Sequence, residues 1–159
     1  NVMRFISPLI AVTEMERSKT FYKKHLGLNV EQDFGANVTL TGGIALQTLE
    51  TWRGFIAERD VRFGNNAAEL YFEEDDFDGF VRKLDGLQLV HPPYEHPWGQ
   101  RVVRFYDPDR HIIEVGENME AVVRRFHESG MTTSEVAARM DVPEEYVRKQ
   151  METVQPRKK

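Results

Sequence analysis

The chain has 159 residues, of which 40% are hydrophobic and 30% charged, and its formal net charge is -5. This composition is typical of one folded domain with room for an appendage, and it argues against disorder, nucleic-acid binding and attachment to anionic membranes. The absence of cysteine excludes disulfides and thiolate chemistry, and without a long apolar run or a secretory profile we expect a cytoplasmic protein that acts on small molecules.

The first part of the chain predicts a strand, a helix and three further strands. Residues 5–12 are apolar and β-compatible, and Thr13 and Glu16 then have the spacing of a capping box, which predicts the start of a helix. Apolar residues recur on one face of that helix until Gly27, which can adopt the left-handed conformation that ends helices. Three short extended pieces follow at 29–32, 37–41 and 44–49.

The same order of elements returns after a polar connection at 50–66, which has room for a short element of its own. The strand at 68–73 leads to Asp75 and Asp76, either of which can cap a helix that ends at Gly86. The later strands are expected near 88–90, 100–106 and 111–116, and His91 and His96 are expected in a Pro-rich loop between the first two of these strands.

The two halves also share a detail of their helices. Phe21 lies six residues before Gly27, and Phe80 lies six residues before Gly86. Such a correspondence indicates an internal duplication. We therefore predict an α+β fold in which two βαβββ modules form a curled mixed sheet with a cleft. The modules span residues 4–50 and 67–117.

The C-terminal part, residues 118–155, predicts helices and no strand. The segment that begins at Gly130 resembles a helix-turn-helix, with Ala137 and Val142 where such motifs place small and apolar residues. Within 117–159, however, eight acidic residues balance eight basic ones, a poor footprint for DNA. We expect a helical hairpin that packs on the core or caps a dimer.

Two segments resemble the glyoxalase and bleomycin-resistance proteins of the vicinal-oxygen-chelate superfamily. Residues 95–115 (EHPWGQRVVRFYDPDRHIIEV) are similar to the closing hairpin of that family, where a W/G-rich start, a strand, a DPDG turn and an apolar strand with Glu follow in order. Residues 16–28 (ERSKTFYKKHLGL) are similar to its first helix. The resemblance covers about residues 4–117. Arg110 departs from the glycine usual in the turn, so the turn must tolerate a side chain there.

The resemblance implies a small-molecule site, a homodimer and, in the enzymes, a divalent metal held by four side chains. The four positions correspond to Ser7 and Ala45 in the first module and to Glu69 and Glu114 in the second. Only the two glutamates are of a type that binds zinc, nickel, manganese, iron or magnesium. Gln47 shares a strand face with Ala45 and is the candidate replacement for the missing ligand.

The sequence is compatible with two functions. In the first, Glu69 and Glu114 are metal ligands and catalytic groups of a lyase, isomerase or dioxygenase. In the second, the protein binds or sequesters a small molecule without metal, and the two carboxylates pair with Arg101 or Arg104, which lie on opposite faces of one strand. The candidate pocket residues are Ser7, Gln47, Tyr71, Trp98, Arg101 and Arg104.

Overall fold

The computed structural model describes residues 2–152, and within them it contains two four-stranded sheets and six helices. The first module consists of β1 (Leu9–Val12), α1 (Met15–Leu26), β2 (Val30–Asp33), β3 (Asn37–Leu40) and β4 (Ala45–Thr48), and α2 (Leu49–Phe55) follows it. The second module consists of β5 (Glu69–Glu74), α3 (Phe77–Val81), β6 (Gln88–Glu95), β7 (Arg101–Tyr106) and β8 (Ile112–Glu117). The C-terminal extension consists of α4 (Met119–Glu128), α5 (Thr133–Met140) and α6 (Glu144–Glu152).

Both sheets have the same topology. The strand orders are β1-β4-β3-β2 and β5-β8-β7-β6, so each module places its last strand beside its first. That central pair is parallel in both sheets, and the other neighbours are antiparallel. The α+β class, the two βαβββ modules and the helical C-terminal part are therefore confirmed.

The chain divides into two compact units. One contains residues 2–67 together with the turn at 107–111, and the other contains residues 68–106 and 112–152. The core of the first unit includes Val12, Tyr22, Val38, Leu40 and Leu46, all with no exposed surface.

The turn at 107–111 is fixed by polar contacts within the first unit. The Tyr22 hydroxyl donates to Asp107 Oδ2 at 2.8 Å, and the Thr13 side chain and backbone N–H both donate to Asp109. The predicted capping box at Thr13 is consequently wrong, because its hydroxyl bonds to Asp109, and Glu14 is the N-cap of α1 without a side-chain bond. Arg110 takes the left-handed conformation with φ of 66°, so the turn keeps its backbone geometry despite the side chain.

The second sheet is covered on one face by α3. Asp76 caps this helix by accepting from the Gly79 N–H, and Phe80 stacks on Phe105 of β7 with ring centroids 6.0 Å apart. Phe105 has no exposed surface. Because side chains alternate along a strand, residues next to Phe105 in sequence point to the opposite face of the sheet.

Strand β6 is longer than the sequence predicted. His91 to Glu95 continue the strand, although Pro92 and Pro93 lie within it and a loop was expected. Prolines are tolerated here because β6 is an edge strand, and its pairing with β7 shifts register between Leu89 and His91 and again between His91 and Tyr94.

The three C-terminal helices share one apolar cluster. It consists of Val122, Val123, Phe126, Val136, Ala137, Met140 and Val147. A capping box forms at Thr132 and Glu135, and Asp141 ends α5 in the left-handed conformation. The predicted extension reached residue 155, and residues 153–155 lie outside the described part of the chain.

Candidate functional site

A polar face on the second sheet carries several of the predicted site residues. Glu114 on β8 is directly opposite Tyr71 of β5 and Arg104 of β7 in the strand register. Residues that pair directly across strands lie on the same face. Glu69 belongs to this face as well, because it is two residues from Tyr71 on β5.

The Arg104 guanidinium forms the centre of a cluster on this face, which we call the Arg104 cluster. Its Nε donates to Glu69 Oε2 at 2.9 Å, and its Nη2 donates to Glu114 Oε1. Its Nη1 lies 3.2 Å from His91 Nε2 and 3.3 Å from the Tyr94 hydroxyl. Each nitrogen of the guanidinium therefore has a partner, and both carboxylates already hold a cation between them.

The pKa of Glu114 in this cluster is raised toward neutrality. The residue is 5% exposed, and burial raises the pKa of its carboxyl to about 7. The Arg104 charge acts in the opposite direction, and the neighbouring Glu69 adds to the increase. A carboxyl with this pKa can exchange a proton with a bound molecule at physiological pH.

Four aromatic rings lie in succession beside the Arg104 cluster, and the first two of them also contact Arg104. We call these rings, which belong to His91, Tyr94, His96 and Trp98, the aromatic row. His91 and Tyr94 have ring centroids 4.8 Å apart, and Tyr94 and His96 follow at 4.9 Å. His96 and Trp98 then stack in nearly parallel planes at 4.0 Å. Tyr94 and Trp98 are 43% and 39% exposed, so the row offers ring surface to a ligand.

Gln100 connects the aromatic row to the polar face. Its Oε1 accepts from Trp98 Nε1 at 3.1 Å, and its Nε2 donates to the Tyr71 hydroxyl at 2.8 Å and to the Glu117 carbonyl at 3.1 Å. A Cβ at Gly116 would lie 2.7 Å from Gln100 Nε2, so the missing side chain of Gly116 makes this arrangement possible. Sequence reasoning missed both residues, because neither a glutamine at the start of the predicted strand 100–106 nor a glycine at the end of the strand 111–116 indicates by itself which side chain it lies beside.

Arg101 is not brought together with these groups. It points to the opposite face of β7, where its Nη1 donates to Asp78 at 2.7 Å and its Nη2 to Glu117 at 3.0 Å. Its guanidinium also lies over the Phe77 ring, 5.3 Å from the centroid.

Ser7 and Gln47 belong to the first unit. Ser7 is half-buried and precedes β1. Gln47 is buried, its Nε2 donates to Thr51 Oγ1 at 2.6 Å, and its Oε1 accepts from Asn37 Nδ2 at 2.9 Å. Both ends of the Gln47 amide thus have protein partners, which does not favour the role of a replacement metal ligand.

The donor set of the second module does not fit a divalent metal. A metal ion needs several oxygen or nitrogen donors converging on one point, and the described residues 2–152 contain no group of three or more His, Asp or Glu side chains arranged in this way. Glu69 and Glu114 instead converge on a guanidinium.

Comparison with known proteins identifies the fold. The family model of the glyoxalase-like domain matches residues 5–120. A protein of unknown function from Agrobacterium tumefaciens str. C58 is 39% identical, with a TM-score of 0.68 over 74% of this chain and 96% of that one. A lactoylglutathione lyase from Agrobacterium tumefaciens is 19% identical, with a TM-score of 0.55 over 75% and 96%.

A glyoxalase/bleomycin resistance protein/dioxygenase family enzyme from Burkholderia phytofirmans PsJN is 17% identical, with a TM-score of 0.59 over 70% of this chain and 96% of that one. At such identities the likeness concerns the fold alone. A search of curated proteins found no match to this chain.

The helices within residues 2–152 are all too short or too polar to cross a membrane. The resemblance seen in residues 16–28 and 95–115 is confirmed.

Proposed function

This chain belongs to the glyoxalase-like domain family, and we propose that it binds a small organic molecule on the polar face of its second sheet without a metal ion. The ligand would contact the aromatic row and the Arg104 cluster. The metal-assisted lyase, isomerase or dioxygenase considered from the sequence is not favoured, because its two glutamates are engaged elsewhere. A homodimer and a cytoplasmic location stay predictions.

The observation that carries this proposal is the position of Arg104 between Glu69 and Glu114. An arginine side chain keeps its charge at any physiological pH, so the two carboxylates have a permanent counter-ion supplied by the chain itself. A divalent cation would have to displace the guanidinium and would be repelled by it at short range. Arg104 therefore fills the electrostatic role that a metal has in enzymes of the family.

The test compares wild-type protein with Arg104→Ala. We expect the purified wild type to contain far less than stoichiometric metal, and its melting temperature to be unchanged by zinc, nickel, manganese or magnesium. Arg104→Ala leaves Glu69, Glu114 and His91 without their shared partner, so added zinc or manganese should now raise the melting temperature.

Arg101→Ala is the matched control, because it removes the same side chain from the same strand but on the opposite face. It should behave like the wild type toward metals. Stoichiometric metal in the wild-type protein, measured by elemental analysis, would contradict the proposal. A wild-type thermal shift as large as that of Arg104→Ala would contradict it too.

A further inference from the structure

The C-terminal extension is fastened to the segment that carries the end of the aromatic row. Gly99 has no side chain, and an added Cβ would lie 2.4 Å from the Phe126 ring of α4. Arg125 Nη2 donates to the Gly99 carbonyl at 2.6 Å, and Arg139 Nη1 donates to the Pro97 carbonyl. The extension thus holds the 97–99 segment in place through packing and through two charged donors.

A cavity of about 360 Å³ lies where this segment meets the extension. The match to the family ends at residue 120, near the start of α4, so most of the extension lies beyond the family domain. The cavity is lined by Pro97, Trp98, Met119, Met140, Asp141 and Val142.

The lining suits a flat apolar body. The Trp98 indole is held in place by two contacts. Its ring stacks on the His96 ring, and the Nε1 of Trp98 donates to Gln100. Met119 and Met140 add flexible, polarisable side chains that adapt to the edge of an aromatic ring. A space of about 360 Å³ is large enough for a ring of the size of an indole.

The electrostatics around the cavity favour a positive charge. Asp141 is the one charged residue that lines it, and Asp141 lies at the C-terminal end of α5, where the helix dipole also favours cations. Among the described residues no ion pair engages Asp141, whereas Arg125 and Arg139 are each within 3.5 Å of Glu95. The nearby Glu73 adds another negative charge, because its carboxylate accepts from the Met119 N–H.

We propose that this cavity is a binding site for an aromatic amine, with the ring between Trp98 and the methionines and the ammonium group at Asp141. The site combines Pro97 and Trp98 of the second module with four residues of the extension, and it goes beyond the proposed function. Its test does not involve Arg104 or metals, so either proposal can fail without the other.

Tryptamine, tryptophol and indoleacetate provide a matched set of probes with the same ring and a positive, neutral or negative side chain. Each is titrated into nitrogen-15-labelled protein, and the two indole N–H signals of Trp52 and Trp98 are followed by NMR. We expect the Trp98 signal to move while that of Trp52 stays. We expect tryptamine to bind more tightly than tryptophol, and indoleacetate to bind most weakly.

Asp141→Asn should weaken tryptamine binding about three- to fivefold, as for a partly exposed ion pair, and leave tryptophol binding unchanged. Asparagine tolerates the left-handed conformation of this position, so the variant should fold. Asp85→Asn makes the same chemical change away from the cavity and should alter neither affinity. The proposal is overturned if the Trp98 signal does not respond to tryptamine, if indoleacetate binds as tightly, or if Asp141→Asn leaves the tryptamine affinity unchanged.

Discussion

Gly99→Ala tests whether the extension is packed as tightly on the second module as the structure indicates. The new methyl group would lie 2.4 Å from Phe126 Cζ and 2.6 Å from Cε2, well inside van der Waals contact. Overpacking of this kind costs about 1–3 kcal/mol. The φ of 91° adds about 1–2 kcal/mol for a residue with a side chain, so the free energy of unfolding should fall by about 2–5 kcal/mol.

Gly130→Ala separates the two contributions. Gly130 has a φ of 100°, close to that of Gly99, but no atom lies within 4 Å of the Cβ position. Only the conformational cost of about 1–2 kcal/mol should then appear.

Urea denaturation followed by circular dichroism measures both variants. A second control is the double variant Phe126→Ala/Gly99→Ala. The shortened side chain at position 126 should remove most of the clash, so the loss of stability in the double variant should be smaller than the sum of the losses in the two single variants. Equal losses for Gly99→Ala and Gly130→Ala would refute the packing described for Phe126.

Two further predictions concern buried polar groups. Tyr22→Phe removes the donor to Asp107 Oδ2 in the first unit and should lower the free energy of unfolding by about 1–3 kcal/mol; an unchanged urea midpoint would contradict it. Glu114→Gln tests the pKa of about 7, which is raised above the ordinary 4.5 by burial. Because the pKa is raised in the folded state, the protonated Glu114 carboxyl makes its full contribution to the free energy of unfolding below pH 4.5. This contribution is lost as the pH rises to about 7. Over that range the wild type should lose about 1–2 kcal/mol relative to Glu114→Gln, with allowance for solvent screening; parallel stability curves for the two proteins would exclude the shift.

Local patterns were sufficient to predict most of the fold. The helix period and Gly27 placed the end of α1, where Gly27 does adopt the left-handed conformation with φ of 71°. Long-range partners could not be predicted. The Thr13 hydroxyl bonds to Asp109, 96 residues later, and this contact replaces the expected capping box. The register shifts that let Pro92 and Pro93 join β6 likewise depend on the neighbouring strand.

The positions of the candidate site residues could be predicted only in part, because they too depend on long-range strand pairing. Alternation along β7 placed Arg101 and Arg104 on opposite faces, which the structure reproduces through their separate partners. Alternation alone does not tell which arginine meets Glu114, because that depends on the pairing of β7 with β8. Gln100 and Gly116 were missed because the space that Gly116 leaves for the Gln100 side chain becomes apparent only when the positions of both strands are known.

The Arg104 cluster also determines the charge that the polar face presents to a ligand. The Arg104 guanidinium and the Glu69 carboxylate carry opposite single charges, so the net charge of the guanidinium and its two carboxyl groups depends on Glu114. With a pKa of about 7, Glu114 changes this group of three side chains from neutral in mildly acidic solution to singly negative in mildly basic solution. A divalent metal between the same two carboxylates would balance both of their charges and would still have open positions for ligand oxygens. The Arg104 guanidinium carries a single charge and has no open coordination positions, so this face favours neutral or cationic molecules over ligands that chelate a metal.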